Sequence, residues 1–248
     1  MREREHLFLA EGPQAVREAV AHRPETVKDL YFEAQAPARH TAVLDAAQAA
    51  GLSVREVSHD VLVAMSDTLT PQGVVAVCRP VDVPLDTVLE KRPRLLVILT
   101  NVRDPGNAGT VIRSADAAGA DAVLLSDSSV DIYNPKVVRS TVGSLFHLPI
   151  VTGLPIVVLL ERVRGAGLVL LAADGSAESQ LADVDLSVPH GWVMGNEARG
   201  LAPEVTAACD ALVRVPIYGK AESLNLAMAA TLCLYQSAEV QRKPPEIR

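Results

Sequence analysis

From Arg94 to Thr100 the chain reads Arg-Leu-Leu-Val-Ile-Leu-Thr, an apolar run with no polar residue at alternate positions. A strand with one wet face alternates apolar and polar residues. An unbroken run therefore belongs to a strand buried on both faces, the environment of a parallel sheet. Similar short runs recur at Ala122–Leu125, Leu168–Ala172, Trp192–Met194 and Leu212–Val215. Between them lie segments of helical character, at about Ala108–Ala118, Pro135–Leu145, Leu154–Ala166, Pro203–Ala208 and Leu224–Gln241. This alternation predicts an α/β domain with a mostly parallel sheet covered on both faces. Hydrophobic residues make up 49% of the chain but only eight residues are aromatic, so Val, Leu, Ala and Ile must fill the core.

Residues 1–80 repeat the alternation on a smaller scale. His6–Ala10, Val27–Phe32, Ser53–Val57 and Gly73–Cys78 read as strands, and Gly12–His22, Ala36–Ala50 and Asp60–Ala64 as helices. The stretch from Pro80 to Pro93 is polar and punctuated by proline, which predicts a linker over 81–93 between a domain of residues 1–80 and one of residues 94–248. No apolar run is long enough to span a membrane, and Met1-Arg2-Glu3-Arg4-Glu5 lacks the apolar stretch of a signal peptide. Cys78, Cys209 and Cys233 show neither pairing nor metal-ligand spacing, and the six histidines are scattered. These features predict a reduced cytoplasmic protein with no metal and no membrane partner. The net charge is −7, and the first 92 residues carry 10 basic against 14 acidic side chains. That balance argues against a nucleic-acid partner unless the basic residues cluster locally.

Three loops fall at predicted strand ends, where parallel α/β sheets bind their ligands. The first runs Asn101-Val102-Arg103-Asp104-Pro105-Gly106-Asn107-Ala108-Gly109-Thr110. Its glycines permit close backbone approach, Asn107 suits a helix N-cap, and Arg113 follows about one and a half turns into the helix. A capped turn with a solvated arginine explains this loop as well as a site does. The second, Gly195-Asn196-Glu197-Ala198-Arg199-Gly200, leaves an apolar strand directly, and Glu197 fits either a site or a cap on the next helix. The third runs from Val215-Pro216-Ile217 to Ser223-Leu224-Asn225. There Ser223 fits an N-cap, whereas Asn225 is out of place in a first helical turn, because its amide competes with the backbone for hydrogen bonds. A nucleotide-dependent oxidoreductase would want an acidic residue about 20 positions past the first turn, where Asp127 lies, but would leave the other two loops unexplained.

In order and spacing the three loops resemble the signature motifs of the SpoU-type RNA 2′-O-ribose methyltransferases of the SPOUT superfamily. The likeness covers the whole second half. The first half, with Leu9-Ala10-Glu11-Gly12-Pro13 followed by Val16 and Ala19, resembles the small substrate-binding domain that often precedes such enzymes, whose α/β fold is that of ribosomal protein L30e. The resemblance implies a parallel-sheet catalytic domain with a C-terminal trefoil knot, a homodimer, and S-adenosyl-L-methionine held in a bent form. It assigns the cofactor to Leu171, Ala172 and Ala173, to Gly195, Asn196 and Glu197, to Val215, Pro216 and Ile217, and to Ser223, Leu224 and Asn225. Around the reacting ribose it places Asn107, Arg113, Arg139, Glu197, Ser223 and Asn225. The family proposal makes Arg113 a general base; since guanidinium normally stays protonated, stabilisation of developing charge is the other open role. The implied substrate is structured RNA, with 23S ribosomal RNA ahead of transfer RNA. A non-catalytic RNA-binding protein of the same fold is the alternative.

Overall fold

In the computed structural model, residues 5–33, 37–68 and 70–242 are described. Met1–Arg4 of the predicted leaderless terminus and Ala36 of the predicted second helix lie outside them. The chain divides into two compact units, one of Met1–Val81 with Asp131–His147, the other of Asp82–Val130 with Leu148–Arg248.

The first unit is a four-stranded sheet of β1 (Phe8–Glu11), β2 (Val27–Glu33), β3 (Val54–Val57) and β4 (Val74–Cys78), in the order β1-β4-β2-β3. β4 runs antiparallel to both β1 and β2, and β3 parallel to β2. Helix α1 (Pro13–His22) starts at proline, whose fixed φ suits a first helical position, and buries Ala15, Val16, Ala19 and Val20. Helices α2 (Pro37–Ala49) and α3 (His59–Met65) complete the first stretch of chain. The segment Asp131–His147 belongs to this unit because its apolar residues pack there. The ring of Phe8 lies 4.6 Å from that of Tyr133 and 6.1 Å from that of Phe146.

The predicted linker is not a free connection. Leu85–Leu89 forms helix α4, and its Leu85 and Val88 join the core of the second unit beside Leu96, Ile98 and Leu160. The spacing Leu85, Val88, Leu89 is that of one helical face, a signal that the neighbouring prolines masked.

The second unit contains six parallel strands: β5 (Leu95–Leu99), β6 (Ala122–Ser126), β7 (Ile150–Leu154), β8 (Val169–Ala173), β9 (His190–Met194) and β10 (Ala211–Val213). Their order is β10-β8-β9-β5-β6-β7, so β9 lies between β8 and β5. β5, β6 and β9 are buried at every residue, as unbroken apolar runs require. The edge strand β7 was not expected, since Thr152 and Gly153 interrupt its apolar pattern. Helices α5 (Pro105–Ala118), α6 (Pro135–Thr141), α7 (Ile156–Gly165), α8 (Pro203–Ala208) and α9 (Leu226–Arg242) follow, α6 belonging to the first unit. α6 stops short of the predicted Leu145 because Val142 and Gly143 adopt positive φ and end it.

The only tryptophan fastens α9 to the sheet. Trp192 Nε1–H donates to Ser237 Oγ at 2.9 Å, and His190 Nε2 pairs with the same hydroxyl at 2.8 Å. Burial lowers the pKa of His190 and so favours the neutral imidazole there. Burial raises the thiol pKa to about 12 for Cys78 and Cys233 and about 11 for Cys209, which keeps all three protonated. Among the described residues no helix is long and apolar enough to cross a membrane.

Candidate active site

The loops after β5, β8, β9 and β10 meet at the carboxyl ends of the central strands. After β5 the backbone turns sharply at Asn101, which takes a left-handed φ of 54°. The helix that follows is capped by Asp104, whose carboxylate accepts from Asn107 N–H at 2.7 Å, with Pro105 at the first helical position. Asn107 was expected to be this cap. Proline's preference for the first position places the cap one residue earlier than Pro105 and leaves the Asn107 side chain to bond elsewhere.

Its partners come from the other two loops. Asn107 Nδ2 donates to Glu197 at 3.3 Å, and Asn107 Oδ1 accepts from Asn225 Nδ2 at 2.9 Å. Glu197 caps no helix of its own loop. Its carboxylate reaches back to α5, accepting from the backbone N–H groups of Asp104 at 3.1 Å and Arg103 at 3.3 Å. The amino end of a helix offers unpaired donors and a favourable dipole to such an anion. Asn225, expected inside the first turn of α9, is instead its cap, with Oδ1 accepting from the N–H groups of Ala227 at 2.9 Å and Met228 at 3.3 Å. A cap needs a short acceptor side chain, which accounts for asparagine at that place. Ser223 lies two residues before this cap, outside the helix, and is exposed.

The second loop is folded tightly on itself. Asn196 and Gly200 exchange both backbone hydrogen bonds, at 2.9 and 2.8 Å, and Asn196 Nδ2 donates to the Asn101 carbonyl at 2.8 Å. A Cβ on Gly195 would sit 2.4 Å from the Gly200 carbonyl carbon and 2.7 Å from Leu201 N, so only glycine fits.

A cleft opens between these loops. Gly195, Asn196 and Glu197 line one side, Val215 and Ile217 another, and Ser223 with Leu224 a third, while Ala173 closes the end of β8. Leu171 and Ala172 lie deeper in β8, buried in the sheet, and Pro216 and Asn225 lie beside the lining rather than in it. Sequence reasoning missed Asp174 and Gly175, which border the cleft after β8, and Met194, Leu226 and Ala229 on its apolar wall. The polar pair Asp174-Gly175 directly after an apolar run was the available signal. Apolar walls with a few backbone and carboxylate groups suit a small ligand that combines a flat apolar part with a polar edge.

Among the described residues, no side-chain hydrogen bond joins Arg113 to this assembly. Arg113 lies on the exposed side of α5, about 9 Å along the axis and about 120° around it from Asn107. Arg139 falls in the first unit, where its guanidinium pairs with Glu11 at 3.5 Å and Asp67 at 3.2 Å.

Two family models match the chain. The SpoU rRNA Methylase family covers residues 94–235, and the RNA 2′-O ribose methyltransferase substrate binding family covers residues 9–84. The chain is 35% identical over 235 residues to 23S rRNA (guanosine(2553)-2′-O)-methyltransferase RlmP of Bacillus subtilis, covering 94% of this chain and 89% of that one. It is also 35% identical to 23S rRNA (guanosine-2′-O-)-methyltransferase RlmB of Bordetella pertussis, with 91% and 94% covered. Among solved structures, an AdoMet-bound rRNA methyltransferase from Sinorhizobium meliloti superposes with a TM-score of 0.82 at 32% identity, over 96% of this chain and 89% of that one. The SpoU methyltransferase AviRb from Streptomyces viridochromogenes, in complex with AdoMet, gives 0.81 at 32% identity, over 96% and 92%.

Proposed function

Since this chain belongs to the SpoU rRNA Methylase family, we propose that it methylates a ribose 2′-hydroxyl of 23S ribosomal RNA with S-adenosylmethionine as donor. The observation that carries this reading is the hydrogen-bonded chain Glu197–Asn107–Asn225, which ties together the three signature loops, the second and third of which line one cleft. The relatives named as 23S rRNA 2′-O-methyltransferases and the neighbours solved with AdoMet support the substrate and the cofactor. The cleft fits the cofactor chemically: Val215, Ile217 and Leu224 offer apolar surface to a flat base, and Asp174 and the Gly195–Asn196 backbone offer a polar edge.

S-adenosylmethionine, when bound, supplies a methyl group on a positively charged sulfur. The protein's share is to hold the 2′-oxygen in line with that methyl and to help its proton leave. Glu197 has its carboxylate engaged by two backbone amides and the Asn107 amide. Its work is therefore to fix the loops, not to carry the proton. The family resemblance gives Arg113 the place beside the ribose and its phosphate, where its guanidinium would meet the charge that develops. Transfer runs without a metal, a reading supported by a cleft lining that holds no His or Cys among the described residues.

The same reading includes a trefoil knot in the C-terminal segment, a homodimer, a cytoplasmic location and RNA selection by residues 1–80. The homodimer is supported by Met228, Leu232 and Tyr235, exposed at i, i+4 and i+7 on one face of α9. RNA selection is supported by the substrate-binding family match over residues 9–84. Mapping 2′-O-methylation in total RNA from cells with and without the gene tests the function. One 23S position should lose its methyl group in the deletion and regain it on complementation. Loss of a transfer RNA position with 23S RNA unchanged would overturn the substrate.

A further inference from the structure

We propose that Glu18, His22 and His147 form a three-ligand site for a divalent transition-metal ion of the zinc class, within the first unit and apart from methyl transfer. The histidines stand 125 residues apart in a sequence whose histidines otherwise look scattered, and the fold brings them to one carboxylate. Glu18 and His22 sit at i and i+4 on α1, so they share a face. His147 arrives just after the turn Ser144–Phe146. Gly143 makes this approach possible: a Cβ there would lie 2.8 Å from Glu18 Cβ and 2.3 Å from its Cγ.

The carboxylate is already oriented. Arg17 holds Oε1 through Nε at 3.0 Å and a terminal nitrogen at 2.7 Å. Oε2 faces His22 Nε2 at 3.3 Å and His147 Nε2 at 3.2 Å, and the two imidazole rings meet edge to face with centroids 4.5 Å apart. All three donor atoms lie within 4.8 Å of one another. Donors bonded tetrahedrally to zinc at about 2.0–2.1 Å stand about 3.3–3.4 Å apart, so two of the three edges already have the required length. A bound ion would take the Nε2 position that now faces the carboxylate, with each neutral ring carrying its single proton on Nδ1.

Two imidazoles and one carboxylate favour zinc, cobalt or nickel over magnesium or calcium. Glu18 is suited to the charge. Burial, the largest influence, raises its pKa, but hydrogen bonds from Arg17 and His147 outweigh it and hold the carboxyl below its usual value. His22 ends α1, where the helix dipole favours a cation, and its side chain is 52% exposed, which gives an ion access. With three protein ligands the fourth position is left to water, and the neighbouring Arg17 opposes a dication. The site is therefore expected to bind more weakly than a four-ligand structural zinc site and to exchange its ion. A bound ion would cross-link α1 to the end of the segment 131–147.

The test uses the full-length, tag-free chain stripped with a chelator and titrated with Zn²⁺ by calorimetry, with Co²⁺ absorption as the ligand-field readout. One equivalent per chain should bind and raise the melting temperature. His22→Ala and His147→Ala should each weaken binding by more than about tenfold, since loss of even an outer-sphere partner costs that much. His59→Ala, at an exposed histidine paired with Glu33, should leave binding unchanged. The half-exposed His22 makes its variant safe for the fold, which the ion-free melting temperature checks. Absence of binding, or binding untouched by His22→Ala and His147→Ala together, would overturn the site and leave a hydrogen-bonded Glu–His cluster.

Discussion

Asn107 is held at the start of α5 by Glu197 and Asn225, whereas Arg113, six residues later, faces outward from the same helix. The two side chains should fail differently on substitution. Arg113→Ala should lower single-turnover methyl transfer by about two to three orders of magnitude, the usual cost of losing one preorganised electrostatic group. Cofactor affinity by calorimetry should hardly change, because Arg113 does not line the cleft. Arg113→Lys separates charge from geometry, since lysine keeps the charge but not the planar fork. Little rescue would mean that donor directions matter; strong rescue would mean that charge is enough. Near wild-type transfer by Arg113→Ala would remove the residue from the chemistry.

At the scale of an element, α9 has three jobs on three surfaces. Its amino end is capped by Asn225, which brings the third loop to Asn107. Its inner face buries Ala227, Ala230, Cys233 and Leu234, and Ser237 fastens it to Trp192 and His190 of β9. The outer face leaves Met228, Leu232 and Tyr235 exposed at 54%, 47% and 47%. Apolar side chains in a row on one helix face are stabilised by a matching surface. Light scattering at micromolar concentration should therefore give about twice the 26.3 kDa chain mass. Met228→Glu combined with Leu232→Glu should give a monomer with unchanged helix content by circular dichroism. A wild-type monomer would end the dimer reading.

For the molecule as a whole, the division into units changes where the chain can be cut. Starting at Arg92 would discard α4, taking Leu85 and Val88 out of the second unit's core. It would also leave Asp131–His147 without Phe8 and β1. Emptying a buried Leu or Val site costs about 1–4 kcal/mol. A chain of residues 82–248 should thus melt at higher temperature than one of residues 92–248, and both should melt below the full-length protein. The longer fragment should keep S-adenosylmethionine binding by calorimetry. Equal melting temperatures for the two fragments would show that α4 contributes nothing to the fold.

Local chemistry was enough for much of this. An apolar run as unbroken as Leu95–Leu99 has one stable setting, between neighbours in a parallel sheet, so the α/β class was legible from residue type and period. The family was legible too, because Asn107, Glu197 and Asn225 stand in motif loops whose residues are adjacent in sequence. The caps were not, since Asp104 and Asn107, or Ser223 and Asn225, are equally able acceptors until the helix start is fixed. Nor was the bonding of Glu197 to Asn107 across 90 residues, or of Asn225 to Asn107 across 118. The first contact exists because β9 inserts beside β5 and the second because α9 lies against α5, and both are properties of the whole fold. The same holds for Glu18, His22 and His147 and for the return of Asp131–His147 to the first unit. Sequence period specifies which face of an element is apolar; which distant face it meets is decided only when all the buried surfaces are satisfied together.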